Sequence, residues 1–214
     1  MSDTPDLVIR GGTVVDGSGG PMRQADVAIS GGRIVAVGAI SERGREEIDA
    51  RGRLVMPGFV DVHTHYDAQV TWANRIVPSS CNGVTTVVMG NCGVGFAPVR
   101  PEHHAMLIAL MEGVEDIPEV VMQEGLPWNW ASFPDYLDSL AARTFDVDVA
   151  TQVPHAALRV FVMGERGANR EEATAADRAA MAQLAAEGIR AGAFGFPAGP
   201  PDTPQGARVV DDHP

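Results

Sequence analysis

The stretch Arg53–His65, RLVMPGFVDVHTH, decides the fold. It is a nearly continuous apolar run, the pattern of a strand buried on both faces as in a parallel sheet. It ends in two histidines two positions apart. Residues i and i+2 of a strand share a face, so His63 and His65 project side by side where such a strand ends. Two imidazoles at that separation can converge on one metal ion. In (β/α)8 barrels the C-terminal strand ends carry the active site, which is where this pair falls. The plainer reading is a chance pair with one imidazole hydrogen-bonded in a core, so the surroundings must decide.

Downstream, three more runs read as strands: GVTTVVMG (83–90), the weaker DVDVATQVPH (146–155) and AGAFGF (191–196). Helical periodicity fills the gaps. PEHHAMLIALMEGV opens on Pro101 and Glu102, good first-turn residues. FPDYLDSLAAR carries apolar residues at helical spacing, and REEATAADRAAMAQLAAEGIRAG is alanine-rich with acidic residues early and Gly188 or Gly192 near its end. Strands alternating with helices indicate βα units. Upstream, residues 1–55 read as short antiparallel strands in which DLVIRGGTVVDG and DVAISGGRIVAVG each reverse at a Gly-Gly pair. Alternation in RIVAVG suits a half-buried strand. A sheet that small needs strand partners from elsewhere.

The second barrel-like strand leads into NCG, which puts Cys92 in the loop just past it, with Gly90, Gly93 and Gly95 permitting a tight turn. A thiolate beside two imidazoles makes a soft zinc site; alone, the same cysteine reads as a small buried hydrophobe. GNCGVG fits neither the dinucleotide fingerprint nor the P-loop. Bulk properties narrow the class. The chain has 214 residues, 45% hydrophobic and 21% charged, with a formal charge of −12. That charge disfavours nucleic acid or an anionic membrane as partner. No apolar run approaches the roughly 18 residues of a membrane span, and the start lacks the pattern of a secretory signal. With only Cys81 and Cys92, free thiols or a metal ligand are expected over a disulfide. The expected location is the cytoplasm.

DARGRLVMPGFVDVHTHYDAQVTW (49–72) followed by GVTTVVMGNCGVGFAPVRP (83–101) closely resembles the amidohydrolase superfamily, and within it the D-aminoacylase (N-acyl-D-amino-acid deacylase) branch. EGVEDIP, GLPWNWASFPDYLD and HAALRVFVMG look like the same family, so the resemblance runs from about Leu7 to Phe196. It implies an α/β chain: an incomplete metal-dependent (β/α)8 barrel over 56–196, with a helical insertion at about 98–145. Part of a small β-sandwich would precede it over 1–55. It implies zinc as cofactor, His63 and His65 in the paired-histidine role, Cys92 as the cysteine ligand, and a small N-acyl amino acid or related amide as substrate. The family's catalytic aspartate and two further histidines lie on later strands, beyond residue 214. The runs above supply about half the strands that barrel closure needs. The tail 197–214 is rich in proline and glycine and reads as disordered or aberrant. A truncated product with little or no deacylase activity alone is therefore expected.

Weaker candidates surround the cluster. Asp61 precedes His63 by two and suits a hydrogen bond to its imidazole. Asp67 reads more readily as a helix cap or surface carboxylate. His155 ends the third strand and is a candidate ligand or substrate contact. His103 and His104 open a helix and read as solvated, Trp128 and Trp130 as packing anchors, and MLIALM as core. A cyclic-amide hydrolase of the hydantoinase or dihydroorotase kind is the alternative enzyme. Those usually use a carboxylated lysine, and this chain has no lysine: all 16 basic residues are arginine. A non-catalytic metal-binding remnant is the alternative outside enzymes. Oligomeric state is not legible.

Overall fold

A computed structural model describes residues 4–197 except 116, together with every side chain in that range but those of 113 and 115. The 197–214 tail thus lies outside the described residues but for its first. The chain divides into two units, residues 1–58 and 59–214.

The first unit is a five-stranded mixed sheet. β1 (Leu7–Val14), β2 (Arg23–Ser30) and β3 (Arg33–Gly38) form an antiparallel meander; β4 (Glu46–Asp49) and β5 (Leu54–Val55) both run parallel to β1. Gly31 and Gly32, both at positive φ, make the β2–β3 reversal, as a two-residue hairpin requires. The other Gly-Gly pair does not reverse the chain. Gly11 and Gly12 lie within β1, where the register to β2 slips between Ile9 and Gly12. Here glycine makes a bulge, the other use of an unbranched residue in a strand. Val14, Ala25 and Val27 form a small core with Ile9, Ile29 and Val55. β3 is an edge strand and is not half-buried: Ile34, Val35 and Val37 are all exposed.

The second unit holds a three-stranded parallel sheet, ordered β6 (Phe59–Asp61), β7 (Val84–Met89), β8 (Asp148–Thr151). Between β7 and β8 lie α1 (His104–Glu115), α2 (Glu119–Gly125) and α3 (Phe133–Ala141); after β8 come α4 (His155–Met163), α5 (Glu165–Ala168) and α6 (Ala175–Ala191). The core runs through Val87 and Met89 of the central strand, Phe96, Leu107, Ile108 and Met111 of the MLIALM segment, and Trp130, Phe133, Val153 and Leu158. Capping boxes start two helices, Ser132 with Asp135 and Thr174 with Asp177. Gly192, in the left-handed region, stops α6. Gly188 serves packing instead. A Cβ there would lie 2.6 Å from Val153 and 3.1 Å from Phe133.

The Arg53–His65 run is not one strand. It supplies β5 to the first sheet and β6 to the second, with Met56, Pro57 and Gly58 in neither. Proline has no amide hydrogen for a ladder, so the run breaks there. Nor is β6 buried on both faces: as an edge strand it leaves Phe59 and Val60 more than half exposed, and Val62 just past it is exposed too. AGAFGF is not an assigned strand either. It approaches the β8 end through Phe194 N to Thr151 O (2.8 Å) and Val153 N to Gly195 O (2.9 Å). These two bonds are offset by one residue from a parallel ladder. Among the described residues, no helix is long and apolar enough to cross a membrane.

Candidate metal centre

β6 and β7 run parallel, with Asp61 opposite Val87, so both C-terminal ends emerge at the same edge of the sheet. The histidines lie just past β6 rather than within it. Thr64, between them, is buried, and its amide and hydroxyl both donate to the Val88 carbonyl, at 3.0 and 2.8 Å. That double tie pins the segment along the end of β7. His63 is exposed and His65 half-buried, with ring centroids 5.4 Å apart at 64°.

β7 ends at Met89, and the chain turns through Gly90 (φ 77) into a short 3-10 turn, Asn91–Gly93. Cys92 sits in that turn at φ 54, a left-handed backbone rare outside glycine. Its Sγ is 3.3 Å from His63 Nε2. One ligating atom from each of His63, His65 and Cys92 lies within 4.8 Å of the others. Two imidazoles and a thiol form a donor set suited to zinc. The surroundings fit a cation as well. A buried ring nitrogen of His65, Nδ1, has no protein partner. Burial, then the nearby Asp67, pushes the Cys92 thiol up from its ordinary value. Burial, then the His63 charge, holds His65 toward its neutral form, the form that binds metal.

The carboxylates stand apart from these three donors. Asp61 Oδ1 accepts from the His63 backbone amide at 3.3 Å, so it ties the main chain and not the imidazole. Asp67 is neither a cap nor a surface group. It is 2% exposed, Oδ1 accepts from the Gly90 amide at 2.9 Å, and Oδ2 has no hydrogen-bond partner. Burial pushes its pKa up to about 7. His155 does not end a strand. It opens α4, half-buried, its ring edge-on to Phe196 at 6.1 Å, and it is outside the three-donor cluster. His104 is not simply solvated: its ring stacks on Trp128 at 3.9 Å. Trp130 is buried and donates Nε1–H to the Phe96 carbonyl at 2.8 Å.

Sequence reasoning missed two residues that build the centre. One is Thr64. The other is Asn91, which donates to the Val88 carbonyl at 2.8 Å and accepts from Gln152 Nε2 at 2.8 Å. Their position inside HTH and NCG was the available signal. Cys81 and Cys92 are both free thiols.

Residues 46–200 match the model of the amidohydrolase family. The chain is 39% identical to N-acyl-D-aspartate deacylase of Alcaligenes xylosoxydans xylosoxydans, over 99% of this chain and 41% of that one. It superposes with a TM-score of 0.74 and 40% identity on a solved D-aminoacylase described as having a binuclear metal centre, covering 90% of this chain and 38% of that one. N-acyl-D-glutamate deacylase of Bordetella bronchiseptica, solved with zinc and a phosphonate mimic of the tetrahedral intermediate, matches with a TM-score of 0.69 and 35% identity over 91% and 38% of the two chains. The chain thus spans about two fifths of the length of these relatives.

Proposed function

The chain belongs to the amidohydrolase family, and from that premise we propose that it carries the zinc-binding part of an N-acyl-D-amino-acid deacylase, with His63, His65 and Cys92 as ligands. One observation carries the reading: the three donor atoms lie within 4.8 Å of one another. Its deacylase relatives and the zinc in one of their structures supply the substrate class and the metal. On the same reading, the parallel strands β6, β7 and β8 begin a (β/α)8 barrel, and the first unit is part of a small β-sandwich. Free thiols suit a reducing compartment, and we assign the protein to the cytoplasm.

Zinc there would supply Lewis acidity, polarising the amide carbonyl of a linear N-acyl amino acid and making water acidic enough to attack near neutral pH. The chain's own groups do the rest of the site-building. Thr64 fixes the two histidines against β7, and the Gly90–Gly93 turn brings the thiol to them. Hydrolysis also needs a base to take a proton from water and pass it to the leaving amine. Among the described residues no carboxylate joins the donor cluster: Asp61 is tied to a backbone amide and Asp67 is buried against Gly90. On this reading the base is a further residue of the family's active site, and the 214-residue chain alone is expected to bind zinc without appreciable turnover.

The test combines metal analysis with an assay on N-acetyl-D-amino acids. About one zinc per chain, lost in His63→Ala, with negligible hydrolysis, is the expected result. A chain that stays zinc-free after dialysis against zinc would overturn the metal centre. Turnover abolished by His63→Ala would overturn the need for an outside base.

A further inference from the structure

Asp67 continues the spacing of His63 and His65, two residues further on, yet it is not one of the clustered donors. Its carboxylate engages the start of the Cys92 turn instead. Oδ1 accepts from the Gly90 amide, 23 positions away in sequence. The far end of the loop folds onto the same group: a Cβ at Gly95 would lie 3.2 Å from Asp67 Oδ1 and 2.8 Å from Pro154. The Asp67 carbonyl in turn accepts from the Tyr136 hydroxyl at 3.2 Å, which anchors the residue in the core. Between these fixed points sits Cys92 at φ 54. A non-glycine residue holds that conformation only where its surroundings over-determine it. Only glycine fits at position 90, because a Cβ there would fall 2.3 Å from the carbonyl oxygen of Gln152, just past β8.

We propose that Asp67 is a positioning residue: through the Gly90 amide it holds the turn so that Cys92 Sγ faces His63 and His65. The acceptor oxygen does this, and the negative charge is not required. The consequence for metal binding rests on the zinc-centre reading above; the placement of Cys92 does not.

The experiment uses the whole 214-residue chain, with cobalt(II) as a spectroscopic substitute for zinc and iodoacetamide as a thiol probe. Cys81, an exposed free thiol in the same chain, is the internal reference for Cys92 alkylation. Asp67→Ala is expected to raise the Cys92:Cys81 alkylation ratio several-fold and to weaken cobalt binding about 10–100-fold, the usual cost of removing a group that orients a ligand. The thiolate-to-cobalt absorption should fade with it. Asp67→Asn removes the same charge but keeps the acceptor, so it should restore the band and bring the ratio well below that of Asp67→Ala. In a Cys92→Ala background, Asp67→Ala should change cobalt affinity little, because its effect travels through that thiol. An equal ratio in Asp67→Ala and Asp67→Asn, or an equal loss of affinity with and without Cys92, would overturn the proposal. If Asp67→Ala does not fold by circular dichroism, Asp67→Asn decides: loss of the thiolate-to-cobalt band in that variant refutes the acceptor role. A wild-type chain that binds no cobalt would sink the zinc-centre reading alone, since the alkylation ratio still judges Asp67.

Discussion

His63 Nε2 and Cys92 Sγ stand 3.3 Å apart across 29 positions of sequence. The parallel pairing of β6 with β7 makes this possible, because parallel neighbours release their chains at the same edge. Thr64 then holds one residue run against the end of β7, and a left-handed turn brings the other back. The contact is a product of strand direction plus two local anchors, and each can be removed separately.

Cys92→Ala takes away one of three donors and leaves His63 and His65 in place. Removing a group that merely orients a ligand costs about 10–100-fold in metal affinity, so loss of the donor itself should cost roughly 100-fold or more. Competition against a chromophoric zinc chelator measures it directly. Affinity equal to wild type would mean that zinc binds elsewhere.

Trp130→Phe keeps the aromatic bulk of the core but removes the Nε1–H that satisfies the Phe96 carbonyl at 2.8 Å. A buried acceptor left without its donor costs about 1–3 kcal/mol. Urea unfolding should show a lower midpoint at unchanged slope. Phe96 lies four residues beyond Cys92, so the same variant should also loosen the loop that follows the donor turn.

The donor residues were legible because they are local patterns: an HTH at the end of an apolar run and an NCG among glycines. What holds them was not. Asp67 finds Gly90 only once two strands lie side by side, and its carboxylate read as a surface group because nothing in YDAQ announces burial. The Arg53–His65 run was misread as one strand through hydrophobicity alone, although its Pro57–Gly58 pair is a turn signal. Gly11–Gly12 shows the converse, a turn signal overridden by sheet pairing into a bulge. The DVDVATQVPH run predicts a strand ending at His155; instead Pro154 is the N-cap of α4 and His155 its first residue.

Acid should unfold the α6 end of the protein in a defined window. Asp177 accepts from the Thr174 amide and hydroxyl, both at 2.8 Å, and from Arg166 at 3.0 Å. These bonds, the Thr174 amide foremost, hold its pKa down from 3.8 to about 2. A depressed carboxylate stabilises the folded state above its unfolded pKa, and that contribution is lost as pH falls through the folded one. The wild-type chain should therefore lose stability between about pH 4 and pH 2, and Asp177→Asn should lose less over that interval while starting lower at neutral pH. Thr174→Ala removes the cap itself and should cost about 1 kcal/mol. Parallel stability–pH curves for wild type and Asp177→Asn, read by far-ultraviolet circular dichroism, would contradict this.

The edge strand β6 sets the last expectation. Phe59 and Val60 expose 56% and 57% of their surface along a strand that, among the described residues, has a neighbour on one side only. An exposed apolar edge is a template for pairing with another chain, so the protein should self-associate with rising concentration. Lysine is the residue that natural edges use against such pairing, and this sequence contains none. Val60→Lys adds a charge where no buried contact is lost, so unfolding free energy should shift by less than about 0.5 kcal/mol. Light scattering should nevertheless show a smaller mass at high concentration. If Val60→Lys and wild type associate alike, the β6 edge is not the contact, and the exposed apolar residues of edge strand β3 (Ile34, Val35 and Val37) become the ones to charge next.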